Sequence, residues 1–384
     1  MLEVGAILVR IFLCSFHLAI INKLNLYFMK RFLVLAICCA VVAIVSCVKD
    51  EPAGAGKAKV AFESPMLYSN LEGKASVAGE IGTVYPTAES FRIFAVQHEN
   101  TFTSWSDADL CAFNGCVVSY DADLNAWAPK NAQGGYYYWE DGMKLSFAAV
   151  SPADLELDAS VVPAYGNEGL SLENFQIQDS PAKQYDLLYS QISVNNSFTS
   201  MQIGSTAFYN GIPLLFKHAL SAVRFSLKKD DTVAEEVVLT GLKVKGAAKK
   251  GSFNENVTAV ASSAPEWTVD YSATADYTAF SGSKEFEVQA AMVGSTLLLM
   301  PQDLDDCLVL EVSYTVGGVA KTSEIVLNEY PKAVPGVLPI DEWSIGNRYT
   351  YCLTYGRASH MQDIIFFSPG TEGWEDADVI EVVL

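Results

Sequence analysis

Apolar and polar residues alternate along much of the chain. Between Ser221 and Lys228, Val223, Phe225 and Leu227 fall on one side of an extended backbone and Arg224, Ser226 and Lys228 on the other. Leu310, Val312, Tyr314 and Val316 alternate with Glu311, Ser313 and Thr315 in the same way. So do Tyr351, Leu353 and Tyr355 about Cys352 and Thr354, and the trio Phe286, Val288 and Ala290. A period of two marks a half-buried strand, because successive side chains of an extended chain point to opposite faces. Further strands are expected at 59–62, 91–97, 144–150, 237–245 and 324–327. Turn residues punctuate the runs: Glu140-Asp141-Gly142, Gly246, Gly251, Gly282, Gly317-Gly318 and Pro335-Gly336. After residue 46 no helical periodicity exceeds two turns. Many short strands with such turns predict an all-β protein of sandwich or barrel type.

The pattern thins over a polar stretch from Gly166 to about Gly211, and a new run of strands opens at Ile212-Pro213-Leu214-Leu215-Phe216. The expected boundary lies near 205–212, dividing the chain into an N-terminal sandwich over 58–208 and a C-terminal one over 209–384. Either piece is long enough to bury a core of its own. The 20 Phe, 18 Tyr and 6 Trp, against only 18% charged residues, suit side chains that cover pleated surfaces.

Residues 1–46 form a signal region of a different kind. Met29-Lys30-Arg31 is a short basic start, Phe32 to Ile44 an apolar run too short to span a membrane comfortably, and Ile44-Val45-Ser46-Cys47 resembles a bacterial lipobox. Met29 is the expected true start, and Cys47 the lipidated first residue of the mature chain. Residues 47–57 read as a tether, with Val48-Lys49-Asp50-Glu51 resembling a surface-export signal and Ala53-Gly54-Ala55-Gly56 a flexible linker. The mature chain then keeps Cys111, Cys116, Cys307 and Cys352 beyond the lipidated residue. Cys111-Ala-Phe-Asn-Gly-Cys116 has turn residues between its cysteines, so the pair could close a small loop by a disulfide or stay as buried thiols.

The formal net charge of the chain is −20. A strongly acidic surface repels phosphate backbones, so nucleic acid is not an expected partner. Catalytic and cofactor motifs are missing too: there is no G-x-S-x-G, H-E-x-x-H, P-loop or dinucleotide fingerprint. After the signal region only His98, His218 and His360 remain, and His218 reads as a hydrogen-bonded structural residue. Glu140-Asp141 precedes a glycine turn, and Asp303-Leu-Asp305-Asp306 lacks the spacing of a calcium loop. Tyr136-Tyr137-Tyr138-Trp139 could stack on sugar rings, though alternate residues of a strand are core. No enzyme activity, metal or cofactor is expected.

Several phrases in order resemble the fimbrillin family, the subunits of type V pili. They are Phe91-Arg-Ile-Phe-Ala-Val-Gln97, Tyr136-Tyr-Tyr-Trp139 followed by Leu145-Ser-Phe-Ala-Ala-Val-Ser-Pro152, Tyr185-Asp-Leu-Leu-Tyr189, Phe216-Lys-His-Ala-Leu-Ser-Ala-Val-Arg-Phe225, Leu298-Leu-Met-Pro-Gln302, and Trp343-Ser-Ile-Gly346 with Tyr349-Thr-Tyr351. The resemblance implies two transthyretin-like β-sandwich domains in tandem on a lipid-anchored subunit of the outer membrane surface. It also implies assembly with other fimbrillin subunits by donor-strand exchange, and a host glycan or protein as adhesion ligand. In the family a protease removes the first strand, often after an arginine. Here no arginine lies between Arg31 and Arg92, which departs from the family's pattern and leaves open either a cut at Lys74 in Asn70-Leu-Glu-Gly-Lys-Ala75 or an uncleaved anchor or tip subunit. The end of the chain, with Val379, Ile380, Val382, Val383 and Leu384, suits either a donor strand or an ordinary last strand. The alternative function is a surface glycan-binding lipoprotein with sandwich domains.

Overall fold

The structure, a computed structural model, describes residues 59–67, 85–102, 110–140, 142–154, 164–166, 169–190, 193–196, 211–258, 261–262, 265–305, 308–329, 340–358 and 361–373. In chain order the strands of the first half are β1 (Met66–Leu67), β2 (Ser90–His98), β3 (Leu110–Asp121), β4 (Ala126–Pro129), β5 (Lys144–Ser151), β6 (Ala164–Gly166), β7 (Gly169–Gln176), β8 (Leu188–Ser190) and β9 (Ser193–Asn196). Those of the second half are β10 (Leu215–His218), β11 (Ser221–Lys229), β12 (Val237–Asn254), β13 (Val257–Thr258), β14 (Ala261–Ser262), β15 (Glu266–Glu285), β16 (Ala291–Leu299), β17 (Gln302–Asp303), β18 (Val309–Val316), β19 (Val319–Val326), β20 (Glu342–Trp343), β21 (Asn347–Ala358) and β22 (Met361–Gly373). No α-helix occurs among the described residues, and the protein is all-β, as the alternation predicts.

Three main sheets organise these strands. One runs β1-β10-β8-β5-β2-β3-β4, with β9 also on β5. A second runs β19-β18-β12-β7-β6, with β15 paired to β12, and a third runs β16-β11-β21-β22. Pairing is antiparallel except between β1 and β10 and between β11 and β21. The sheets draw on the chain in an interleaved order. Strands β6 and β7 pair into the second sheet, whereas β10, later in sequence, returns to the first.

Two apolar cores result. The first gathers Val60, Phe62, Tyr85, Phe91, Phe147 and Phe216 with their neighbours, and the second gathers Phe225, Leu242, Tyr277, Leu310, Trp343 and Tyr351 with theirs. Central strands of the first sheet serve both. Phe91, Ile93 and Ala95 of β2 and Phe147 and Ala149 of β5 enter the first core, while Phe94 and Val150 enter the second. Burial on both faces explains why Phe-Arg-Ile-Phe-Ala-Val and Leu-Ser-Phe-Ala-Ala-Val read as nearly continuous apolar runs rather than as alternation. At the junction His218 Nδ1 donates to Asp186 Oδ1 at 2.8 Å with both side chains buried, which agrees with a structural histidine.

Two local expectations are corrected. The run Phe286–Ala290 is not a strand but the connection from β15 to β16. Strand β12 begins at Val237, so the ladder has no partner beyond the Phe286 N–H, which bonds Val237 O at 2.9 Å, and Val288 is 53% exposed. The stretch 111–116 is not a loop but the interior of β3. Its ends pair with Val96 and Ile93 of β2, a separation of about 10 Å at 3.3 Å per residue, beyond the roughly 7 Å that a disulfide spans between Cα atoms. Two register shifts and Gly115 at φ +71° absorb the extra residues that look like turn chemistry in the sequence. Cys116 is a free, half-buried thiol, and burial pushes its pKa up; the Cys111 side chain lies outside the described residues.

Candidate functional site

The first core is completed by a very short piece of chain. Residues 59–63 are extended and too brief to form a strand, yet they are bonded along both edges. On one edge Val60 N donates to Tyr137 O (2.8 Å), Phe62 N to Trp127 O (2.7 Å) and Trp127 N to Phe62 O (3.1 Å). On the other, Ile212 N donates to Ala61 O (2.8 Å) and Glu63 N to Ile212 O (3.2 Å). The first edge is antiparallel and the second parallel. Each such bond contributes about 0.5–1.5 kcal/mol net, and none depends on the identity of the side chain.

Side chains then anchor the segment. Val60 and Phe62 point into the core, at 1% and 0% exposure. The Phe62 ring meets Phe91 and Phe147 edge-on, with centroids 5.7 and 5.2 Å away. Tyr85 closes the far side, stacked on Phe216 at 5.6 Å and bonded through its hydroxyl to Ser151 Oγ at 2.9 Å; burial pushes its pKa well up. Burial likewise raises the Glu63 carboxyl. Further along, Met66–Leu67 adds the β1 pairing to β10.

One glycine makes the parallel edge fit. Gly211 has φ +104°, and a Cβ there would fall on the Glu63 amide nitrogen and lie 2.6 Å from Phe62 C. Only glycine permits both that φ and that approach.

The upstream end is tied by charge. Asp121 Oδ1 accepts the Asp123 and Leu124 N–H groups, and its Oδ2 accepts Tyr136 Oη (2.7 Å) and Lys130 Nζ (2.8 Å). Burial opposes ionisation of Asp121, but the bonds from Lys130, Tyr136 and the two amides outweigh it and bring the carboxyl down to about 2. The Tyr136 ring so held carries Lys59 Nζ 4.2 Å from its centroid and Lys130 Nζ at 5.2 Å. Of the four-aromatic run, Trp139 is buried, Tyr136 and Tyr137 are half-buried, and Tyr138 is exposed.

Of the residues singled out in the sequence, Cys47, Lys74, Val379, Ile380, Val382, Val383 and Leu384 lie outside the described residues. The segment 59–62, expected as a strand, is extended but held by isolated bridges rather than a ladder. Its acceptors Trp127, Tyr137 and Ile212, and the need for Gly211, were not legible, because nothing in a sequence pairs positions so far apart.

The arrangement defines an all-β protein of several sheets, with one core finished by an N-terminal segment held between two other stretches of backbone. Compared with known families, residues 85–374 match the fimbrillin-like model, and the chain belongs to that family. Among solved structures, a fimbrial protein from Bacteroides vulgatus is similar over 82% of this chain and 99% of its own, at 16% identity and a TM-score of 0.51. A protein from Bacteroides uniformis provisionally assigned to cell adhesion is similar over 84% and 100%, at 14% identity and a TM-score of 0.48. At 16% identity the likeness to the Bacteroides vulgatus protein is one of fold. A search of curated proteins finds no match.

Proposed function

We propose that this chain is a lipid-anchored fimbrial subunit or adhesin of the cell surface that assembles by donor-strand exchange. The supporting observation is segment 59–63. It fills an apolar groove and pairs both of the groove's backbone edges, so its departure would leave unpaired N–H and C=O groups and bare apolar walls. A strand from another subunit can satisfy both. Filling one subunit's groove with the next subunit's strand does not close on itself, so it propagates as a filament. Cys47, lipidated, would hold the precursor on the outer membrane. A cut after Lys74 would free residues 59–67 together, and the strand carrying Val379, Ile380, Val382, Val383 and Leu384 is the donor. The partners are other fimbrillin subunits and, for an adhesin, a host glycan or protein.

The test is limited trypsin treatment of the mature chain, followed by intact mass and size-exclusion chromatography. The expected result is a cut near Lys74, loss of the preceding fragment and growth of oligomers. A chain that loses the fragment and stays monomeric, or that oligomerises with residues 59–63 still in place, overturns the proposal.

A further inference from the structure

Gln97 stands where strand β2 asks for an apolar side chain. Phe91, Ile93 and Ala95 alternate into the first core, and Gln97 is the next position on that side. Its partner across the ladder is Leu145, itself part of the first core. A half-buried amide at such a place costs free energy unless it is bonded. Gln97 Nε2 donates to Oε2 of the exposed Glu140 carboxylate at 2.9 Å. The turn before β5 holds Glu140 in place, with Met143 N–H donating to Glu140 O at 3.2 Å. Among the described residues the Gln97–Glu140 bond is the one side-chain bond of either residue. It leaves Glu140 Oε1, Gln97 Oε1 and the second Gln97 amide hydrogen for another partner.

Both side chains line an open cleft of about 220 Å³, smaller than the roughly 300–1,000 Å³ of clefts that enclose drug-sized ligands. Aromatic rings form its other walls. Phe113 and Trp139 are buried, Tyr137 meets Phe113 edge-on with centroids 4.9 Å apart, and Tyr138 is 36% exposed. Such a cleft matches both sides of a sugar ring. The C–H face of the sugar, slightly positive, lies against the negative face of an aromatic ring. Adjacent hydroxyls, each a donor and an acceptor, meet a carboxylate and an amide set side by side. Charge then selects among sugars, because Glu140 repels an acidic one and no Lys or Arg is among the described residues that line the cleft.

We propose that the cleft binds one neutral hexopyranose unit at the end of a glycan, packed against the aromatic wall and bonded through adjacent hydroxyls to Gln97 and Glu140. This rests on the adhesin part of the reading above, whose ligand it names, and not on strand exchange. The glutamine departs from the period of two because the ligand, rather than the core, needs it.

The mature chain is titrated with the methyl pyranosides of glucose, galactose and mannose and with methyl glucuronide, and the Trp139 indole N–H is followed by NMR. The expected result is saturable binding of at least one neutral glycoside and none of the glucuronide. Gln97→Leu puts an apolar residue at a core-facing place, so it should keep the fold and weaken binding roughly tenfold or more. Glu140→Gln should admit the glucuronide, a change of selectivity that a merely structural role does not produce. A Trp139 signal indifferent to every glycoside, or binding unchanged by Gln97→Leu, overturns the sugar site; oligomers that still grow after trypsin then leave the fimbrial reading standing. Saturable binding by a chain that never oligomerises supports the site and overturns strand exchange alone.

Discussion

The two cores are made of similar strands and differ in how they are closed. The second is closed by long strands from the middle of the chain. Strand β11 lies between β16 and β21, and β12 runs from Val237 to Asn254 with partners along both edges. Withdrawing any of them would undo pairing elsewhere. The first core is closed by residues 59–63, which precede every other described residue and can leave without breaking a strand-to-strand ladder outside their own groove. An exchangeable piece has to be short, held by backbone bonds that any sequence can make, and placed where its removal leaves the rest paired. Only the first core meets those conditions.

The sharpest way to test that contrast is to remove one buried ring from each core. Phe62→Ala and Phe225→Ala should each cost about 3–5 kcal/mol, since both rings are fully buried. Their consequences should differ. Losing Phe62 loosens only the segment, so the chain keeps its second core and takes up a peptide of the donor strand faster. Losing Phe225 destabilises the chain without speeding uptake. Hydrogen exchange read at Val60, Phe62 and Ile212 alongside β11 and β21 separates the two. If Phe62→Ala exposes both cores equally, the first core does not open independently of the second.

Gly211→Ala probes the groove from the other edge. The added methyl meets the Glu63 nitrogen at a φ of +104°, so the parallel edge must open, at about 1–3 kcal/mol. Protection of the Glu63 and Ile212 amides should fall while the Phe62–Trp127 pair holds. Unchanged protection at Glu63 would show that the close approach is not maintained in solution.

The sequence carried the architecture better than the site. Alternation in β18 reflects one buried face, and in β11 and β21 the apolar positions Val223, Phe225, Leu227, Tyr351, Leu353 and Tyr355 are the fully buried ones, so those strands were legible. Strand β15 carries the same signal, with Trp267, Val269, Tyr271, Ala273, Ala275, Tyr277 and Ala279 alternating with Thr268, Asp270, Ser272, Thr274, Asp276 and Thr278, and is absent from the expected strands although its period of two is complete; its apolar side packs on the second core while it pairs with β12. Phe286-x-Val288-x-Ala290 misled in the opposite direction, since the period of two continues past the end of its ladder. Gly115 looked like loop chemistry and serves a bulge. The groove stayed hidden because Ala61 and Ile212 meet across 151 positions, and only folding brings them together.

Acid should weaken the upstream end of the first core before it touches the second. The Asp121 carboxyl is depressed in the folded protein to about 2, against an ordinary value near 3.9. Its contribution is therefore complete above pH ~4 and is lost as pH falls from there through about 2. The side chain is 5% exposed but its partner Lys130 is 47% exposed, so after solvent screening the effect is about 1–2 kcal/mol. Asp121→Asn should flatten this slope between pH 4 and pH 2 in urea melts monitored on the first core. A slope equal to that of the unaltered chain would mean that Lys130 and Tyr136 do not hold the carboxyl in solution.

The smallest effect separates backbone from side chain in the hold on the segment. Lys59 contributes its ammonium over Tyr136, worth about 0.5–1 kcal/mol at an exposed site, whereas the five backbone bonds of residues 60–63 do not depend on it. Lys59→Gln should therefore speed donor-peptide uptake by only about two- to fivefold, and a double-mutant cycle with Tyr136→Leu should return a coupling of the same size. Tyr136→Leu also removes a bond to Asp121, so the cycle is run at pH 7, where that carboxyl is ionised in all four chains. A coupling near zero would assign the hold on segment 59–63 to its backbone and to Val60 and Phe62 alone. The lysine would then be free to change to any residue a donor strand brings to that place, which is the freedom an exchangeable strand requires.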